Sequence, residues 1–307
     1  MSLLIYPTPK LAPIQGLAGM GGGATGLGYA GGAVAEPFAD NLYIAFPFWN
    51  GGSGSSMVMN NNYGTSTQTT SFAQRGSANV DFNTSNHTTS EGGDSYGGSA
   101  YFDKDASGSD NASVLVANAN DSGLRFHGDD PFSVMVDMKW ADGADGQMRI
   151  WFGGNNGWLD ADGWWYYINN SHFGIAKANH TGNPSYYTAT VAGDVLDGNW
   201  HQHAMCYNGN GTAYFYVDVA KEGTATSIST GTWAGYIHSG VDGGQGDTKL
   251  TINGFPYPAA PGSSDIIHYA EAEMYINDLR IYNVDISSNG ASTIDVRKSL
   301  LRIEGVV

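Results

Sequence analysis

Short segments with a two-residue hydrophobic period, separated by tight-turn dipeptides, fill the sequence between residues 131 and 283. In residues 132–140, FSVMVDMKW, a serine, an aspartate and a lysine lie between large apolar residues. This period is that of a β-strand, because successive side chains point to opposite faces. Dipeptides such as Asp142-Gly143 and Asn208-Gly209 are typical of the turns that join antiparallel strands. The pattern therefore predicts an all-β protein built from antiparallel sheets.

The composition agrees with many short strands and few helices. Glycine occurs 44 times in 307 residues, about twice its average frequency. Aromatic residues make up 12% of the chain, which supplies core side chains to a sequence rich in turns. The only helix candidate is residues 292–302. The predicted strands are residues 42–48, 99–103, 113–116, 132–140, 148–152, 164–168, 200–207, 213–219, 249–253 and 274–282.

The charge balance is strongly acidic, with 13 lysine and arginine residues against 29 aspartate and glutamate residues. Such a chain is repelled by phosphate backbones and anionic lipid, so we expect neither nucleic acid nor membrane as a partner. Cys206 is the only cysteine, which excludes an internal disulfide. The N-terminus lacks the pattern of a secretory signal and no apolar run is long enough to span a membrane. We therefore expect folding in a cytoplasm.

The chain divides into three zones. Residues 1–38 combine prolines with a glycine-rich stretch and cannot bury enough apolar surface to fold alone. We expect a disordered tail in an isolated monomer, or a docking arm that is ordered along a neighbouring subunit. Residues 39–290 form the predicted β domain, and residues 291–307 form a C-terminal tail that holds the helix candidate. The residues expected to dock the arm are Tyr6, Pro7, Pro9, Leu11 and Pro13.

Five segments resemble, in order and separation, the strand motifs of laminin-G-like domains of the concanavalin-A-like class. The sequence departs from these motifs at Lys104, Val219 and Asn277, where the family usually carries glycine, glycine and aspartate. The resemblance covers about residues 95–285 and implies a two-sheet antiparallel jelly-roll sandwich. The five segments are residues 98–103 (GSAYFD), 132–140 (FSVMVDMKW), 196–201 (LDGNWH), 214–218 (YFYVD) and 276–283 (INDLRIYN).

Individual residues also have expected roles. Trp200 follows an Asp-Gly turn and begins a strand, so we expect it to anchor the core, and the resemblance implies a structural ion pair between Arg280 and Asp278. Domains of this family often bind one Ca²⁺ on a rim loop, and the spacing of Asp160 and Asp162 offers two carboxylates for it. The alternative is that both are turn residues that bond their own backbone.

An aromatic block that begins at Trp158 is a second candidate site. On a strand, Trp165 and Tyr167 point away from the face that Trp164 and Tyr166 share. One set fills the core, and the other, together with Trp158, is expected to contact a subunit or a glycan. The alternative is that a long loop buries both sets.

Motifs for catalysis or metal binding are incomplete. Glu271 and Glu273 precede the last strand, but the other carboxylate of the β-glucanase motif known on this fold is missing, so we expect no enzymatic activity. His201 and His203 share a strand face at a spacing that suits a metal, without an identifiable third ligand. Apart from the calcium candidate, no cofactor is expected.

The polar composition and the glycine-rich arm resemble those of laminin-G-like virion proteins of tailed bacteriophages. The resemblance implies a non-enzymatic capsid decoration, head-fibre or tail-associated protein that is assembled in the host cytoplasm. Its arm would dock to other capsid or tail subunits, the jelly roll would be exposed, and the chain would form a homo-oligomer. The alternatives are a carbohydrate-binding adhesin for host-surface polysaccharide and, more remotely, a glycoside hydrolase, since a fold alone does not decide between them.

Overall fold

The computed structural model describes residues 38–47, 65–67, 72–75, 80–82, 99–102, 114–117, 121–140, 147–153, 163–169, 172–179, 182–190, 197–218, 220–230, 249–258, 266–269 and 273–289. The docking residues between Tyr6 and Pro13 and the C-terminal helix candidate lie outside the described residues. In the ranges given above, no helix has both the length and the apolar character needed to cross a membrane.

Within these ranges the chain forms β-strands joined by loops and short 3₁₀ helices. The 3₁₀ helices are η1 (Ala39–Asn41), η2 (Ser122–Leu124) and η3 (Ile286–Asn289). The strands are β1 (Leu42–Pro47), β2 (Phe72–Arg75), β3 (Val80–Phe82), β4 (Ala100–Phe102), β5 (Val114–Ala117), β6 (Phe132–Trp140), β7 (Gln147–Gly153), β8 (Trp164–Asn169), β9 (His172–Asn179), β10 (Gly182–Thr190), β11 (His201–Tyr207), β12 (Ala213–Val217), β13 (Ala220–Ala225), β14 (Lys249–Ile252), β15 (Phe255–Pro258), β16 (Ile266–Tyr269) and β17 (Met274–Tyr282).

Two antiparallel sheets form the sandwich. The eight-stranded sheet has the order β13-β12-β11-β6-β17-β4-β3, and β1 also pairs with β17. The seven-stranded sheet has the order β10-β9-β8-β7-β14-β5-β2, and β15 and β16 form a separate ribbon. Strands that are distant in sequence, such as β6 and β17, are neighbours in the sheet. This is the antiparallel two-sheet jelly roll that the sequence predicts.

Strand β6 lies at the centre of the eight-stranded sheet and is buried on both faces. Its inward face belongs to the main core, where Val136 pairs in register with His203 of β11 and Leu279 of β17. The outward-facing Ser133 is also fully buried, because the segment after β17 covers it. Its hydroxyl donates to the carbonyl of Val284 at 2.8 Å and accepts from the backbone N–H of Ile286 at 3.1 Å. A two-residue period is typical of a half-buried strand with one exposed face, but here both faces of the strand are covered.

Aromatic rings from both sheets fill the interior. Trp164 of β8 packs against Phe132 of β6 with ring centroids 5.0 Å apart, and Phe126 stacks on Phe132 at 4.5 Å. The indole N–H of Trp164 donates to the carbonyl of Leu124 at 2.8 Å, so this buried polar group is satisfied. Burial of each large side chain of this kind stabilises the fold by roughly 1.5–3 kcal/mol.

A buried carboxylate ties loops to the sandwich. Asp121 is fully buried and accepts hydrogen bonds from the hydroxyls of Tyr43 and Ser66, each at 2.5 Å, and from the backbone N–H of Gly123 at 3.0 Å. Burial, with the bond to Asp121, raises the pKa of Tyr43 to about 12. The network joins β1, the segment at residues 65–67 and η2, because one side chain accepts hydrogen bonds from all three.

A second apolar cluster lies on the outer face of the eight-stranded sheet. Phe38 and Val284 pack against it from the two ends of the described chain. The side chain of Asn41 donates to that of Asn283 at 3.0 Å, and the backbone N–H of Asn283 donates to the carbonyl of Asn41 at 3.0 Å. The chain therefore enters β1 and leaves β17 side by side. The cluster comprises Leu42, Ala45, Met135, Ala204, Cys206, Tyr216, Tyr282 and Ile286.

The ten predicted strands are all present, with ends that differ by at most two residues. Strands β2, β3, β9, β10, β13, β15 and β16 were not predicted, because their sequences are short or lack regular alternation. In β9 the residue that matters is Gly174, which packs closely against β8: a Cβ at this position would lie 2.2 Å from the ring of Tyr167.

The prediction that Trp200 anchors the core is wrong. Trp200 is half-buried and belongs to neither cluster, whereas Trp140 and Trp164 lie in the core.

Candidate functional site

Three ionisable side chains meet at one end of the eight-stranded sheet, and we call them the rim cluster: Asp197, His201 and Asp218. His201 is the first residue of β11, Asp197 lies in the preceding turn, and Asp218 directly follows β12. The Nε2 atom of His201 lies 3.0 Å from Asp197 Oδ1, and its Nδ1 atom lies 3.2 Å from Asp218 Oδ2. Both nitrogens of one half-buried ring are therefore within hydrogen-bond distance of a carboxylate.

Within the rim cluster, the histidine and the aspartates stabilise each other's ionised forms. The hydrogen bond to Asp218 raises the pKa of His201 and outweighs the lowering effect of burial, and Asp197 acts in the same direction as Asp218. Slight desolvation acts to raise the pKa of Asp197, but hydrogen bonds from Asn199 and His201 lower it overall. The arrangement favours an imidazolium between two carboxylates, with a net charge of about −1 when all three groups are ionised.

His203 follows two residues later on the same strand face and behaves in the opposite way. It is fully buried, and desolvation, with the nearby charge of His201, lowers its pKa to about 3. The two rings lie 6.1 Å apart between centroids. The shared face predicted for these histidines is confirmed. Among the described residues, no group of three or more His, Cys, Asp and Glu side chains is arranged to hold a metal ion.

The outer face of the eight-stranded sheet carries a row of buried polar side chains across its central strands. Gln202 of β11 pairs in register with Asp137 of β6, which lies opposite Asp278 of β17. These three residues are at most 7% exposed. Arg280 Nε donates to Asp278 Oδ2 at 2.6 Å, which confirms the predicted ion pair. The guanidinium neutralises one of two carboxylates that would otherwise repel each other across the strands.

The same face carries half-buried aromatic rings beside this row, and we call this group the tyrosine strip: Tyr101, Lys139, Glu273 and Tyr275. Tyr275 of β17 pairs in register with Tyr101 of β4 on one side and Lys139 of β6 on the other. The two tyrosine rings are 4.8 Å apart between centroids, and Lys139 Nζ lies 4.8 Å from the centroid of the Tyr275 ring. The Tyr101 hydroxyl donates to Glu273. The sequence analysis missed this strip, although the alternation in β6 and β17 places these side chains on one face.

The residues that the sequence predicts as contact and metal sites are either buried or outside the described residues. Trp165 and Tyr167 of β8 are 1% and 6% exposed, so neither presents a ring face to solvent. Trp158, Asp160 and Asp162 lie outside the described residues, and so the calcium site and the contact of the aromatic block stay predictions. Of the glutamates considered for catalysis, Glu271 is outside the described residues, and Glu273 belongs to the tyrosine strip.

Comparison with known proteins finds likeness in structure and not in sequence. No protein-family model and no curated protein matches the chain. Among solved structures, the binding domain of botulinum neurotoxin DC, in complex with rat synaptotagmin II, superposes with a TM-score of 0.51 at 11% identity, over 86% of this chain and 52% of that chain. The binding domain of botulinum neurotoxin serotype C1 gives a TM-score of 0.49 at 13% identity, over 86% and 53%.

The chain thus spans about half the length of the solved chains that it resembles. At this level of identity the likeness concerns the path of the backbone and the order of the strands. It agrees with the sheet topology given above. The chain has the fold of a β-rich, antiparallel jelly roll, shared with a toxin binding domain.

Proposed function

We propose that this chain is a non-catalytic binding module that recognises carbohydrate through the tyrosine strip on the outer face of its eight-stranded sheet. The observation that carries the proposal is the strip itself. It combines ring surface from Tyr101 and Tyr275 with the amine of Lys139, which are in register, and with the carboxylate of Glu273, which is bonded to Tyr101; all four side chains are half-buried. Apolar ring surface beside a few fixed polar groups is the combination that holds a sugar ring, which has an apolar face and hydroxyls at its edge.

Two further observations support a binding role. The solved structure that shares the fold with a TM-score of 0.51 is itself a binding domain, in complex with rat synaptotagmin II. In addition, two buried carboxylates outside the tyrosine strip hold the fold together. Asp121 joins three segments, and Asp278 pairs with Arg280. Carboxylates engaged in this way serve scaffold roles, which favours recognition over hydrolysis.

A glycan array tests this proposal directly. Wild-type protein should bind at least one oligosaccharide, and Tyr275→Ala should weaken that binding about ten-fold, equivalent to ~1.4 kcal/mol. Tyr214→Ala is the matched control, because Tyr214 is also a half-buried tyrosine beside a lysine, with Lys221 Nζ 5.3 Å from its ring centroid. An absence of binding by wild type, or equal losses in the two variants, contradicts the proposal.

As a second candidate we propose a virion structural protein of a tailed bacteriophage, assembled in the host cytoplasm as a homo-oligomer and docked to other virion subunits through residues 1–38. The observation that favours it is the junction of that arm with the domain. Phe38 packs on the outer-face cluster, and Asn41 is bonded to Asn283, so the arm begins from a fixed point of the sandwich. The two functions are compatible, since an exposed virion domain can also bind host polysaccharide.

Deletion of residues 1–37 separates these roles. The shortened protein should retain the folded sandwich and its glycan binding but fail to join particles in a complementation assay. Full incorporation of the shortened protein overturns the docking role of the arm. Loss of glycan binding with normal incorporation, in the Tyr275→Ala variant, would show that the two roles belong to different parts of the chain.

A further inference from the structure

His201 in the rim cluster is bonded through both ring nitrogens, and this geometry requires a particular protonation state. Each nitrogen lies within hydrogen-bond distance of a carboxylate oxygen, at 3.0 Å for Asp197 and 3.2 Å for Asp218. An ionised carboxylate only accepts hydrogen bonds, and a neutral imidazole carries a single N–H. Both bonds therefore exist together only when His201 is an imidazolium.

We propose that His201 is a proton-controlled clasp, which joins the turn at residues 197–200 to the turn between β12 and β13 and releases one of them when its ring loses a proton. The clasp joins the side chains of two turns that lie at the same end of the sheet but are distant in sequence, because the two carboxylates come from the turn before β11 and from the turn after β12. It lies on strands other than those of the tyrosine strip, so it does not depend on carbohydrate binding.

The turn at Asp197 has its own internal bonds, Asp218 is bonded to the backbone of Gln202 in β11, and His201 adds the side-chain bridge between the two carboxylates. Asp197 accepts from the backbone N–H of Asn199 and from its side chain, both at 2.8 Å. Asp218 accepts from the backbone N–H of Gln202 at 3.3 Å, and its own N–H donates to the carbonyl of Gln202 at 2.7 Å. The carboxylates stay in place without the bridge. Loss of the proton then removes the connection and leaves each turn intact.

Among the groups around His201, the two carboxylates determine its protonation. Across the sheet, the residue in register with it on β6 is the apolar Met138. Along its own strand, the ring of His203 faces it at 6.1 Å. His203 is buried and holds its pKa near 3, so it stays neutral while His201 titrates. Among the described residues, the ionisable groups that face His201 are therefore Asp197, Asp218 and the uncharged His203.

The clasp is formed at pH values below the pKa of His201 and is released at pH values above it. The carboxylates raise the pKa of His201 above that of the unfolded chain. A raised pKa in the folded state gives stability that is complete below the unfolded value and is lost as pH rises through the folded value. The three side chains are between 17% and 36% exposed, so solvent screens the pairs and limits the size of the effect.

Nitrogen-detected NMR of the histidine rings in the full chain tests the proposal without any substitution. We expect both ring nitrogens of His201 to be protonated at pH 6, with a titration midpoint above the 6.5 of a model peptide. Asp218→Asn and Asp197→Asn should each lower that midpoint. His127→Gln, a change at a half-buried histidine away from the rim, is the control and should leave it unchanged.

Amide hydrogen exchange gives the second readout. Protection factors at residues 197–202 and 218–220 should fall about two- to five-fold between pH 6 and pH 9, in line with the modest energy of a partly exposed ion pair. His201→Gln should show the low value at both pH values. A His201 midpoint at or below 6.5, or protection that does not change with pH in the wild type, overturns the clasp.

Discussion

The two faces of the eight-stranded sheet differ in how their side chains are used. The inner face meets the seven-stranded sheet with apolar and aromatic residues, of which Phe132, Val134 and Val136 of β6 are fully buried or nearly so. The outer face of the same strands carries an apolar cluster at one end, the polar row in the middle and the tyrosine strip beside it.

This difference separates stability from recognition. Inner side chains are held by rings from both sheets and cannot be reached without unfolding. On the outer face the apolar cluster and the polar row are also buried, but the side chains of the tyrosine strip are only half-buried. A ligand can therefore bind the outer face while the sandwich stays closed. Substitutions on the two faces should therefore lower the free energy of unfolding by different amounts.

The largest loss should come from the inner face. Trp164→Ala removes a fully buried ring that packs on Phe132 and Phe126 and donates to the Leu124 carbonyl. We expect a decrease of about 3–5 kcal/mol in the free energy of unfolding, because the cavity is added to the lost burial. Urea unfolding followed by far-ultraviolet circular dichroism measures it. A loss below about 1 kcal/mol would show that Trp164 is not in the core.

The second largest loss of stability should come from the polar row on the outer face. Arg280→Gln leaves Asp278, whose side chain is 4% exposed, without its guanidinium. We expect a destabilisation of about 3 kcal/mol, since one charge of a buried pair then lacks its counter-charge. The double variant Asp278→Asn, Arg280→Gln should recover part of the loss. If the double variant is less stable than the single one, the ion pair is not the cause.

The buried histidine should produce a pH-dependent effect of intermediate size. His203 titrates near pH 3 when folded and near 6.5 when unfolded, so the unfolded chain binds an additional proton between these values. Stability should therefore fall by roughly 2–3 kcal/mol between pH 6 and pH 4, since the slope is at most about 1.4 kcal/mol per unit. His203→Leu should flatten the dependence between pH 6 and pH 4. His201→Gln, the control, should change the profile chiefly above pH 6.5.

The smallest effect on stability should come from the tyrosine strip. Tyr275→Ala removes a half-buried ring whose partners are a neighbouring tyrosine and a lysine. We expect a loss of less than about 1.5 kcal/mol, because such ring contacts are individually weak. The measurement is the same urea titration as for Trp164→Ala. A loss as large as that of Trp164→Ala would remove the distinction between the two faces.

The regular alternation of β6 and the neighbouring strands was sufficient to predict the fold class and the strands that line the core. It could not show that the outer face of β6 is buried too, because the segment that covers Ser133 lies about 150 residues later in the chain. Strands β9 and β10 carry no regular alternation, and their positions follow from pairing: β9 pairs with β8, where Gly174 leaves room for the ring of Tyr167, and β10 pairs with β9.

The candidate sites were harder to predict for the same reason. The rim cluster needs Asp218, which follows a strand separate from that of His201 and meets it only after the sheet has formed. The tyrosine strip needs three strands in register. By contrast, the ion pair of Asp278 and Arg280 was predicted from the resemblance of the last strand to the laminin-G-like motif, and it needs only two residues of one strand face.

The most direct test of the difference between the faces is a map of amide chemical shifts in the full chain during titration with an oligosaccharide that binds on the array. We expect shift changes confined to β4, β6 and β17 around the tyrosine strip, with the core strands of the seven-stranded sheet unaffected. Changes centred on β8, where Trp165 and Tyr167 are buried, would contradict this account.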